Sequence, residues 1–254
     1  MKFTHLQASS SNEVKISEEN KKDESLELPK NIRLDDETLL ESVSIVDEDG
    51  VDSHNEKALD FVQLACILAR CAFEMSTQHN DAIAFEKASA YIDKVLSNKC
   101  NWAIQTSALL RRCAIEKRNK RRVERACSQA ELIAKLMDAI DDSSSTDAKQ
   151  SRNALVLASG LSPSWRVHQL HAEILRSLGC TAEALRIYEK QESWDNVIQC
   201  YKSLGQIEKA EHLIRELIGK NPNEPLYYCM LGDITLEPNY YQQAIQQSLF
   251  CEER

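Results

Sequence analysis

Between Trp194 and Pro222, read as WDNVIQCYKSLGQIEKAEHLIRELIGKNP, apolar and small residues fall at Trp194, Val197, Ile198, Tyr201, Gly205, Ala210, Ile214 and Leu217. This is the spacing of two amphipathic helices joined by a turn, and it matches the tetratricopeptide pattern. Gly205 turns the chain out of the first helix, Ala210 lets the paired helices approach closely, and Pro222 stops the second. One such unit cannot bury its own apolar face and needs neighbours.

Neighbouring units follow from the same spacing. Gly179 and Ala184 stand five apart, as Gly205 and Ala210 do, with Ala172, Leu175 and Tyr188 around them, which predicts a preceding repeat displaced by 26 residues. Leu231, Gly232 and Ala244 predict a following repeat displaced by 34. About three repeats are needed for a stable array.

Upstream, four further helices are predicted. Residues 56–75 carry Leu59, Val62, Cys66, Ala69 and Phe73 on one stripe, with Phe61, Leu64, Ala65, Leu68 and Ala72 filling much of the remaining circumference. A helix apolar nearly all round is expected to be covered on more than one side. Helices over about 82–98, 101–117 and 120–140 follow, striped by Phe85, Ala88, Ile92 and Leu96, by Trp102, Thr106, Leu109 and Cys113, and by Val123, Cys127, Ala130, Ile133 and Met137.

The expected architecture is all-α: a helical-hairpin stack over 56–140, a linker over 141–161, about three tetratricopeptide repeats over 162–249 and a short tail over 250–254, the layers forming one right-handed superhelix. Residues 1–55 read as an acidic, mostly disordered tail containing an adhesive segment at 28–43, with Leu34, Leu39, Leu40 and Val43. That segment is either a solvated linker or a strap lying on the helical body.

Composition sharpens this outline. Residues 1–60 hold 16 acidic against 7 basic residues, an excess equal to the −9 of the whole chain, so the acidity belongs to the tail. Six Gly and five Pro leave few breaks in 254 residues. No apolar run reaches a membrane span, the N-terminus lacks a secretion signal, and no Asn-x-Ser/Thr site occurs, so a cytoplasmic or nuclear location is expected. Nine scattered cysteines without a Cys-x-x-Cys pair read as small buried hydrophobes.

No Gly-rich phosphate loop, Gly-x-Ser-x-Gly elbow or His-Glu-x-x-His is present, and no enzyme activity or cofactor is expected. His168 and His171 lie three apart near Glu173 but lack a further ligand for zinc. Residues 111–125 hold eight basic side chains, Arg111, Arg112, Lys117, Arg118, Lys120, Arg121, Arg122 and Arg125. Arg118, Lys120, Arg121 and Arg122 form a candidate basic patch for RNA phosphates, against the plainer reading of a solvated helix-loop-helix corner.

Tetratricopeptide arrays bind partners in a groove lined by the first helix of each repeat. Here that groove would present Arg166, Gln169, Glu173, Arg176, Asp195, Gln199 and Lys202, a mixed-charge surface suited to a polar partner. Gln169 and Glu173, then Leu226 and Met230, stand where a carboxylate clamp would need Lys, Asn and further basic residues, so a clamp of that type is not expected.

Five stretches taken together resemble the tetratricopeptide repeat protein 27 family: LPKNIRLDDETLLESV (28–43), NWAIQTSALLRR (101–112), RRVERACSQAELIAKLMD (121–138), ALRIYEKQESWDNVIQCYKSLGQIEKAE (184–211) and LYYCMLGDI (226–234). The resemblance runs in order from Leu28 to Ser248, departing at Cys113 and Ala114 from the family's more basic text. The family's members are much longer, so it implies a central fragment or truncated form. It also implies a scaffold acting with heat shock protein 90 and its R2TP-type adaptor in maturation of a spliceosomal small nuclear ribonucleoprotein. In fungi it implies a tie to growth and cell-wall integrity.

Overall fold

The computed structural model describes residues 28–34, 58–77, 82–143 and 152–252. Eleven helices are found among them: α1 (Phe61–Thr77), α2 (Ala82–Leu96), α3 (Trp102–Glu116), α4 (Val123–Ser143), α5 (Val156–Ser159), α6 (Ser164–Ser177), α7 (Thr181–Lys190), α8 (Trp194–Ser203), α9 (Ile207–Lys220), α10 (Pro225–Thr235) and α11 (Pro238–Glu252). Apart from residues 28–34, the acidic tail expected over 1–55 lies outside the described residues, as do Leu39, Leu40 and Val43.

Successive helices pack as antiparallel hairpins: α1 on α2, α3 on α4, α6 on α7, α8 on α9 and α10 on α11. Hairpin packs on hairpin through α2 with α3, α4 with α6, α7 with α8 and α9 with α10. The contact of α4 with α6 carries the stack across the stretch expected as a linker; there α4 runs on to Ser143 and α5 supplies a short helix.

The turns have local causes. Asn101 caps α3, its Oδ1 accepting from the Ile104 N–H at 2.9 Å, and its amide reaches across to the Ala154 carbonyl at 3.1 Å. Gly179 and Gly205 close α6 and α8 at φ +85° and +72°, left-handed geometry that favours glycine. In the last hairpin that position belongs to Leu236, at φ 60°. Gly232 serves differently, since a Cβ there would lie 2.9 Å from the Tyr241 ring, so its absence lets α11 close on α10. Ala172, Ala184 and Ala210 are fully buried at the other close approaches.

Apolar burial then holds the layers. Tyr188, Ile198, Ile214 and Leu109 are wholly inaccessible, each side chain of this size contributing roughly 1.5–3 kcal/mol. One expectation changes here. α1 packs against α2, α3 and α5 and buries Leu64, Ala65, Leu68 and Cys71, but Val62 and Phe73 stay 58% and 56% exposed, so among the described residues part of its apolar circumference is left open. The helix enclosed nearly all round is α3, packed by α1, α2, α4 and α5. Its polar positions are satisfied internally, with Thr106 Oγ1 donating to the Trp102 carbonyl at 2.7 Å and Ser107 Oγ to the Ser159 carbonyl at 2.7 Å.

Residues 28–34 form a strap across α3 and α4. Gln129, with no exposed surface, accepts from the Ile32 N–H at 2.9 Å and donates to the Lys30 carbonyl at 3.0 Å. Gln105 donates to the Pro29 carbonyl at 2.8 Å, and Arg112 to Asn31 Oδ1 at 2.7 Å. Pro29 itself is buried.

Candidate protein-binding face

The stripes predicted on the first helices of the repeats are set by the core they leave behind. α6 buries Val167, Ala172, Ile174 and Leu175, which turns Arg166, Gln169, Glu173 and Arg176 onto the opposite arc. α8 buries Val197, Ile198 and Cys200 and leaves Asp195 and Gln199 exposed, with Lys202 half-buried.

Cross-helix pairs link α3 to α6 and α8 to α10. Lys117, the C-cap of α3, meets Glu173 of α6 at 2.7 Å, and Lys202 of α8 approaches Asp233 of α10 at 3.9 Å. Arg166 donates to Gln169 Oε1 at 3.1 Å and lies over the Trp165 ring, 5.8 Å from its centroid. Such pairs are partly solvated and weak individually; their value here is to mark adjacency. Burial pushes the Tyr188 phenol above its ordinary range, the neighbouring Arg176 opposing the shift. Arg111, Arg166, Gln169 and Glu173 line a cavity of about 290 Å³ between α3 and α6. Arg111, Lys117, Trp165 and Asp233 were not among the residues singled out for this face; α3 lies upstream of the glycine and alanine signals that mark the repeats.

The basic run disperses. Arg111 turns inward to the Leu68 and Ser159 carbonyls, Arg112 holds the strap, and Arg125 makes a buried ion pair with Glu116. Of the candidate patch, Arg118 stacks on Phe85 at 5.6 Å, Lys120 and Arg121 are exposed, and Arg122 is half-buried. Asn119 shapes this corner by accepting from the Arg121 N–H at 3.0 Å.

His168 bonds Asp138 at 2.8 Å, and burial lowers the His171 pKa. Among the described residues no group of three His, Cys, Asp or Glu side chains could hold a metal ion. No helix among them is long and apolar enough to cross a membrane. Four of the eight described cysteines are buried, Cys71, Cys100, Cys113 and Cys200, and all eight are free thiols.

No protein-family model and no solved structure matches the chain. Curated relatives do. A tetratricopeptide repeat-containing protein, trd-1, of Caenorhabditis elegans is 42% identical over 223 residues, covering 87% of this chain and 28% of the relative. The tetratricopeptide repeat protein 27 homolog of Dictyostelium discoideum is 30% identical over 207 residues, covering 82% and 23%. A Saccharomyces cerevisiae protein named as essential for maintenance of the cell wall is 26% identical over 192 residues, covering 73% and 21%. The chain thus spans about a quarter of the length of the curated relatives it matches. Its stacked hairpins, their glycine turns and tight alanine contacts, and its similarity over most of its own length to these proteins show that the chain belongs to the tetratricopeptide repeat protein 27 family.

Proposed function

We propose that the chain is a non-catalytic protein-interaction scaffold or assembly factor, assisting chaperone-dependent maturation of a spliceosomal ribonucleoprotein in the cytoplasm and nucleus. The observation that carries the scaffold reading is that charged side chains of the first helices pair from layer to layer, Lys117 of α3 with Glu173 of α6 and Lys202 of α8 with Asp233 of α10. A face assembled from successive helices can follow an extended partner over several turns, which a single cleft cannot. The tetratricopeptide relatives support protein partners in general. Heat shock protein 90 and its R2TP-type adaptor are the partners the family resemblance implies.

Affinity capture from cell lysate with mass spectrometry tests this, using the wild-type chain and a variant with Arg118, Lys120, Arg121 and Arg122 all changed to Ala. Chaperone and spliceosomal proteins should be recovered by both forms and survive nuclease. Recovery that needs the basic corner and disappears with nuclease would replace this reading by RNA-phosphate contact.

A further inference from the structure

Arg111 is half-buried at the junction of α1, α3 and α5, and among the described residues every group it bonds is uncharged. The Leu68 carbonyl accepts from Nη1 at 3.2 Å, the Ser159 carbonyl from Nη2 at 3.3 Å and the Ser107 hydroxyl from Nε at 3.4 Å. Carbonyls orient a guanidinium without neutralising it, and burial penalises a charge left uncompensated. Among the described residues no carboxylate pairs with it, and burial lowers its pKa from the ordinary value.

The guanidinium lines the 290 Å³ cavity together with Arg166. Arg166 is exposed at the rim and also bonds only neutral groups, the Gln169 amide oxygen and the Trp165 ring face. Glu173, the one acid lining the cavity among the described residues, is already engaged by Lys117 at 2.7 Å. Among the described residues, two cations therefore share the space without a counter-charge of their own. The loop also leaves room around them: Gly160 stands at φ +62°, and a Cβ there would come within 2.8 Å of Arg111 Nη2.

We propose that this cavity binds an acidic side chain, aspartate or glutamate, of a protein partner lying along the first-helix face, with Arg111 as the fixed inner donor and Arg166 as the outer one. The proposal rests on that face being the partner surface. A carboxylate matches it because a planar guanidinium can offer two parallel N–H groups to its oxygens. The site is distinct from a clamp built on the repeats alone, since its inner arginine comes from α3, upstream of them.

The test is fluorescence anisotropy of a labelled glutamate-rich peptide and its glutamine-substituted twin on the full chain. The glutamate peptide should bind wild type at least about tenfold more tightly than its twin. Arg166→Glu, a change at an exposed position, should weaken it about tenfold, whereas Lys209→Glu on α9 should leave it unchanged. Arg111→Lys should weaken it as well; its circular dichroism spectrum reports whether the variant is folded, and Arg166→Glu keeps the test decisive if it is not. Equal affinity for both peptides overturns the acidic site, and if both are then lost with Lys202→Glu the first-helix face still stands as a partner surface. No binding of either peptide also overturns the site, while the lysate capture decides the scaffold reading separately.

Discussion

Glu116, at the end of α3, receives two N–H groups from Arg125 of α4, and the two side chains are 4% and 7% exposed. This pair lies on the face of the hairpin where the strap also crosses, through Arg112 one turn earlier on α3. Removing Glu116 takes from the buried Arg125 the carboxylate that accepts two of its N–H groups, and losing one member of such a pair costs up to about 3–5 kcal/mol. Glu116→Ala should therefore lower the urea-unfolding free energy by that amount. Replacing both residues by Met should lose much less, because no charge is left behind. Equal losses in the single and double variants would contradict a paired burial.

The strap depends on one amide. Gln129 both accepts from Ile32 and donates to Lys30. Gln129→Leu keeps the volume but leaves those backbone groups unmatched, at a cost of about 1–3 kcal/mol. Hydrogen exchange should accelerate at Ile32 while the α8–α11 amides stay protected. Unchanged protection at Ile32 would mean that the strap is held by something else.

The repeats were legible because their signals are local. Gly179 and Gly205 need left-handed φ, and Ala172, Ala184 and Ala210 need small side chains at close approaches; both demands are written at fixed spacing. The strap was half legible. Its leucines suggested adhesion, but residues 28–34 are held through backbone carbonyls by Gln105, Arg112 and Gln129, and no hydrophobic pattern encodes such contacts. α1 and α3 exchanged roles for a similar reason. Apolar circumference suggested that α1 was the enclosed helix, whereas neighbours on several sides enclose α3, whose Thr106, Ser107 and Arg112 bond inward. Arg111 read as one member of a basic run, which concealed its inward direction.

Thiol reactivity follows burial. Burial pushes the Cys113 thiol up to about 12 and the Cys100 thiol up to about 11, so neither supplies thiolate near neutrality. Cys66 and Cys180 are exposed. Native-state alkylation followed by peptide mapping should label Cys66 and Cys180 and spare Cys100 and Cys113. Early labelling at Cys113 would indicate that α3 is not enclosed.

His171 makes stability depend on pH. Burial lowers its folded-state pKa, His168 and Lys135 adding to the shift while Glu131 and Glu183 oppose it. Below the unfolded value, about 6.5, the unfolded chain takes up a proton that the folded one resists, so stability falls as pH drops through that value and on to the folded pKa. Melting temperature should decline between pH 7 and pH 5, and His171→Gln should flatten the decline. An identical slope in the variant would assign the effect to other groups.

The central claim is that one face, built from the first helices, receives the partner. It is tested most directly by quantifying captured partners with two charge-altered variants of equal stability. One carries Asp195→Lys and Gln199→Arg on α8; the other carries Glu208→Lys and Lys209→Glu on α9. Both pairs are exposed, so each should fold. The account predicts at least about a tenfold loss of capture for the α8 variant and none for the α9 variant. Retention by the α8 variant together with loss by the α9 variant would contradict it and move the binding surface to the second helices.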